Sequence, residues 1–194
     1  MPKPILLVSI LASLFAFTAC EDGGTTPLPP PSLDLTEPAK TLEAVEQAFN
    51  EKDLDDLALC IADTFTFHFD EDDIGGGPGD FIIPETWGKE EFLKAVGYMF
   101  ADAYSIDMDI DTSNVGDPEE GATEFTAENV LIELLVMVDA TNGFLARGFC
   151  DFGFAKDTSG GYDNWRITDW WDYISDGPSS IGSILAWFYG KHGE

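Results

Sequence analysis

Residues 48–70 read AFNEKDLDDLALCIADTFTFHFD, and two different periods meet inside this stretch. Ala48 and Phe49 complete a helical face begun by Leu42 and Val45, with apolar positions three and four apart. Leu54, Leu57, Ala58 and Ile61 repeat that spacing in a shorter helix, and Asp53 is placed to cap its first turn. From Thr64 the pattern changes. Phe65, Phe67 and Phe69 alternate with Thr64, Thr66 and His68, the two-residue period of a strand with one apolar face. Two short helices therefore run directly into a strand.

Outward from this junction the same reading continues. Upstream, Thr36 is placed as an N-cap and Pro38 falls in the opening turn of the first helix. Downstream, an acidic, glycine-rich loop from Asp70 to Asp80 precedes a third helix at Lys89 to Phe100, with Phe92, Val96, Met99 and Phe100 turned inward. From Tyr104 the chain reads mostly as strand, at 104–111, 124–139, 144–156 and 165–174. Asn142-Gly143 marks a hairpin between the second and third of these, because the pair tolerates positive φ. A last helix is predicted over 180–189, where Ile181, Ile184, Leu185 and Phe188 form one stripe. This order predicts a single α+β domain over 41–194, a curved antiparallel sheet with helices packed on its concave face, and a C-terminal helix.

The segment Asn50-Glu51-Lys52-Asp53-Leu54-Asp55 between two helices, followed by Asp63-Thr64-Phe65-Thr66-Phe67, resembles the start of the nuclear transport factor 2-like superfamily. Trp165-Arg166-Ile167-Thr168-Asp169-Trp170-Trp171-Asp172 is similar to the last strand of many exported members. The resemblance implies a cone-shaped, cystatin-like domain with a pocket between helices and sheet. It includes ketosteroid isomerases and polyketide cyclase-like proteins. In the isomerases a tyrosine and a protonated aspartate hold the oxyanion while a second aspartate moves the proton. Matching the segment from Asn50 to Asp55 puts Val45 at the tyrosine position and Phe69, or His68 with one gap, at the base position. The tyrosine is missing, so isomerase chemistry is not supported.

The N-terminus reads as an export signal. Lys3 precedes an apolar run of thirteen residues from Ile5 to Phe17, broken by Ser9 and Ser13. At about 1.5 Å per residue this run is too short to cross a hydrocarbon core of roughly 30 Å as a helix. Phe17-Thr18-Ala19-Cys20 resembles the lipobox of bacterial lipoproteins, with Phe17 in place of the usual leucine. Residues 1–19 are therefore expected to be removed and Cys20 to be acylated, anchoring the chain in the cell envelope. Prolines at 27, 29, 30, 31 and 38 make residues 20–40 an extended spacer.

Net charge limits the partners. The chain carries −28, and loss of Lys3 with the signal segment makes it −29. Such a surface repels phosphate, which argues against nucleic acid. Fifteen Phe and 44% apolar residues place these acids on a folded surface rather than in a disordered chain. Cys60 and Cys150 lie among apolar neighbours and read as buried thiols. Asp107, Asp109 and Asp111 have the spacing of half a calcium loop, but Thr112 and Pro118 stand where glycine and glutamate are required. Alternation with Ile106, Met108 and Ile110 makes them the wet face of a strand instead. The run from Asp70 to Asp73 is at most a weak cation holder, and no metal ligand set or cofactor motif is legible.

Two groups remain. His68 shares a strand face with Asp70, and such a pair suits a general base with its orienting carboxylate; the same residues also read as a plain solvated face. In the last strand, parity puts Trp165, Ile167, Asp169, Trp171 and Tyr173 together, as a pocket lining with Asp169 as polar contact, or as sheet core. The C-terminal helix, with Trp187, Phe188 and Tyr189, either folds back as a lid or leaves an aromatic patch for self-association. The expected function is a lipid-anchored envelope protein that binds a small apolar ligand or a protein partner, a second copy included. The alternative is a small polyketide cyclase-like or dehydratase-like enzyme using His68 or Asp169 as base.

Overall fold

The computed structural model describes residues 33–159, 163–174 and 178–193. Residues 1–19, Cys20 and the linker up to residue 32 lie outside the described residues, and the anchor expectation with them.

Helix α1 spans Pro38–Glu51 and buries Leu42, Val45, Ala48 and Phe49, the face that the spacing predicts. Its start differs from expectation. Thr36 does not cap it, since the Thr36 hydroxyl donates to Asp34 Oδ1 at 2.6 Å, and Glu37 holds the cap position without a side-chain bond. Pro38 at the first turn needs no donor partner. The packed region also begins before residue 41: Leu33 and Leu35 are buried, and the Leu35 carbonyl accepts from Trp165 N at 2.7 Å. Helix α2, Leu54–Cys60, is capped by Asp53, which accepts from Asp56 N at 2.9 Å. Ile61 ends that helix and opens strand β1, Ile61–His68, in which Phe65 and Phe67 are buried.

Strand β2, Thr86–Gly88, is a short element that the sequence reading passes over, and it leads into α3, Lys89–Asp102. Strands β3 (Ser105–Ile110), β4 (Glu124–Met137), β5 (Gly143–Asp157) and β6 (Asn164–Ile174) follow, then α4, Ile181–Lys191. They build one six-stranded sheet in the order β2-β1-β6-β5-β4-β3. Every neighbouring pair is antiparallel except β1 with β6, which is parallel. The β4–β5 hairpin forms where expected but not by a positive-φ Asn-Gly turn. Residues 138–142 make the loop, held by Asp139 Oδ1 accepting from Thr141 N and Asn142 N at 2.8 and 2.9 Å. Gly143 is needed for space, because a Cβ there would lie 2.6 Å from the Val136 carbonyl oxygen.

The helices cover one face of the curved sheet, and aromatic rings fill the space between. Trp170, fully buried, lies at ring-centroid distances of 4.9 Å from Phe152, 5.7 Å from Phe92, 5.8 Å from Phe67 and 6.5 Å from Phe49. Helix α4 takes the lid option. Ile181, Ile184, Leu185 and Phe188 are buried, Ser180 caps the helix by accepting from Ser183 N at 2.8 Å, and its Gly182 N donates to the buried Asp172 carboxylate at 2.6 Å. On the open edge, the outer half of β3 is covered by side chains of α1. Asn50 of α1 both donates to and accepts from Met108 backbone at 2.9 and 2.7 Å, and Glu46 accepts from Ile110 N at 2.9 Å.

Candidate functional site

Simple alternation along β6 puts Trp165, Ile167, Asp169 and Trp171 on one face. The structure divides them. Ile167 pairs with Phe154 and Asp169 with Gly153, so Thr168 is an extra residue in a β-bulge that reverses side-chain parity. Trp165 and Ile167 enter the core at 3% and 0% exposure. After the bulge the core positions are Trp170 and Asp172, while Asp169, Trp171 and Tyr173 point out of the opposite, helix-free face. The four residues therefore do not line one pocket. A local signal for this exists in Gly153: an isolated glycine inside a strand marks a bulge or a close approach. A Cβ there would lie 3.1 Å from Thr168 Oγ1 and 3.2 Å from an Asp169 carboxylate oxygen.

The bulge has a second effect, because it brings the two candidate bases together. His68 at the end of β1 lies beside Trp171 in the parallel register. Its Nε2 is 3.1 Å from Asp169 Oδ1, and its ring stacks on Trp171 at 4.8 Å and 13°. The carboxylate partner of His68 is thus Asp169 from the neighbouring strand, and not Asp70 two residues along its own. The pair is part-exposed, with side-chain exposures of 29% and 34%. His68 borders an open hollow of about 750 Å³ whose wall includes Asp70, Glu71, Glu85, Trp171 and Tyr173.

The buried titratable groups lie on the helix side. Burial pushes Asp172 up to about 7, against the lowering effect of the Gly182 N–H, and the nearby Asp73 and Asp70 add to the rise. Asp73, also raised by burial, accepts from the Ser180 hydroxyl. Cys150 lies 3.8 Å from Asp172 Oδ1, and burial raises its thiol far above the ordinary range. Cys60 is pushed up to about 12 for the same reason, so neither thiol has nucleophile character. Among the described residues no group of three or more His, Cys, Asp or Glu side chains is arranged to hold a metal ion. Asp107 and Asp109 line the wet face of β3, as the alternation requires.

No protein-family model matches the chain, and no curated protein matches it. Solved structures do. A conserved protein from Planctomyces limnophilus superposes with a TM-score of 0.51 at 15% identity, covering 70% of this chain and 91% of that one. A nuclear transport factor 2-like protein of unknown function from Pseudomonas putida gives 0.39 at 12% identity, with coverages of 68% and 80%. A domain of unknown function with a cystatin-like fold from Nostoc punctiforme gives 0.42 at 12% identity, with coverages of 70% and 73%. Likeness at these identities concerns the fold alone. The fold is α+β, a curved and unclosed six-stranded sheet with helices on one face, shared with the Planctomyces limnophilus structure.

Proposed function

We propose that this chain is an exported bacterial lipoprotein, held to the cell envelope through acyl chains on Cys20, whose domain acts by binding a partner on the helix-free face of its sheet. The observation that carries the binding half is the interior itself. Trp170 and the rings around it occupy the volume between helices and sheet where a small apolar ligand would have to lie. Large apolar side chains are instead exposed outside: Leu145, Phe149 and Tyr173 at 37%, 41% and 43%. Exposed apolar side chains grouped on one face mark an interaction surface.

Each half has its own test. Cys20→Ala should leave an unprocessed or mislocalised precursor, while wild type partitions into detergent; equal aqueous partitioning of both sinks the anchor. A photoactivatable phenylalanine analogue at position 149 should give an adduct in the envelope, and the same analogue at Glu43 on α1 should not. Absence of any adduct at 149 sinks the docking face.

The hydrogen-bonded pair of His68 and Asp169 beside a hollow favours a second reading, a polyketide cyclase-like or dehydratase-like enzyme with His68 as base. On that reading His68→Ala removes turnover of a hydroxylated or polyketide-type aromatic substrate. On the binding reading no such turnover exists to be lost.

A further inference from the structure

The bare face has a definite chemical pattern. Phe149 of β5 pairs with Leu131 of β4 on one side and Tyr173 of β6 on the other, a row of three apolar side chains across three strands. A second row, Leu135 with Leu145, lies four residues along, beyond the Glu133–Arg147 pair. Acids border both rows. Asp107 is the β3 neighbour of Leu135, Asp109 of Glu133, and Asp151 the β5 neighbour of Trp171. The hollow beside His68 and Trp171 adds Asp70, Glu71 and Glu85. The basic groups on this face are each matched by an acid: Arg147 lies 3.6 Å from Glu133, and Arg166 3.1 Å from Asp157.

A second copy of the chain is a poor occupant, because docking the face on itself brings carboxylate rims together in a molecule already at −28. A basic segment meets the opposite condition. We infer that this face docks a cationic, partly apolar polypeptide segment, its apolar side chains on the Leu131–Phe149–Tyr173 row and a basic side chain entering the hollow at Trp171. Aromatic rings beside carboxylates suit a guanidinium or ammonium group, which gains from both the ring face and the acids. This inference rests on the binding reading above and adds the partner's chemistry.

The test uses the lipidated chain in neutral detergent and two fluorescent peptides, one alternating Arg with Leu, the other Glu with Leu, read by anisotropy. The Arg–Leu peptide should bind, weaken as salt rises from about 50 to 200 mM, and lose about tenfold or more in affinity with Phe149→Ser/Tyr173→Ser. Asp107→Asn/Asp109→Asn, which alters charge without touching the core, should weaken it too. Glu43→Asn/Glu90→Gln on the helix side should leave it unchanged, and the Glu–Leu peptide should not bind. Equal loss with helix-side and face variants would reduce the effect to global charge and overturn the inference, as would absence of binding. So would a dimer in sedimentation that Phe149→Ser abolishes. If the photo-adduct at 149 forms while the Arg–Leu peptide fails to bind, the cationic partner falls and the docking face stands.

Discussion

Asp172 shows how one residue answers to its surroundings rather than to its type. It is 2% exposed, and burial raises its carboxyl from 3.8 to about 7. Its folded pKa lies above its unfolded one, so the favourable contribution is fully present below about pH 4, where both states are protonated, and is lost as pH rises toward 7. We expect Asp172→Asn to remove this slope, at most about 1.4 kcal/mol per pH unit in that window. Urea unfolding of both proteins at pH 4.5 and 7.5 measures it, and parallel pH dependence would refute the assignment. His68 was legible as a candidate base, but its partner was not. Asp169 is 101 residues away and reaches it through a parallel pairing that no local spacing announces.

Elements fold here by local period and are then completed by each other. Strand β3 is an edge, and edges pair with other chains unless they are covered. Asn50 imitates a neighbouring strand by offering Met108 both an acceptor and a donor. Asn50→Leu removes both bonds and leaves two backbone groups unpaired, at an expected cost of about 1–3 kcal/mol. It should also raise light scattering in warmed, concentrated samples; stability and scattering equal to wild type would show that the edge needs no cover. Helix α4 is completed in the same manner, by Asp172 at Gly182 N and by burial of Ile184, Leu185 and Phe188. Deleting residues 179–194 uncovers these contacts and should cost several kcal/mol at roughly 1.5–3 kcal/mol per large buried side chain, read from denaturant unfolding. The stripe of α4 was plain in the sequence, but both lid and patch were open, because amphipathicity does not name the surface that it meets.

At the scale of the molecule, charge works against compactness. The chain's net charge of −28 falls mostly on one domain and repels itself, and salt at 0.1 M screens exposed charges more than about 10 Å apart. The melting temperature should therefore rise as sodium chloride increases from about 10 to 300 mM, and a flat or falling curve in calorimetry would show that local pairs offset the repulsion. The periods of helix and strand, the α+β order and most of the core were determined by the sequence itself, because they depend on spacings of two to four residues along one chain. Phe65, Phe67, Val45 and Ile184 are buried as their spacing requires. The tertiary structure alone decided which side of β6 faces the helices, since one bulged residue at Thr168 reverses every position after it. That reversal sends Trp170 inward to fill the interior and turns Asp169 and Trp171 outward to meet His68. A strand's period is a property of its own backbone, whereas its parity at a given residue depends on the neighbours with which it pairs.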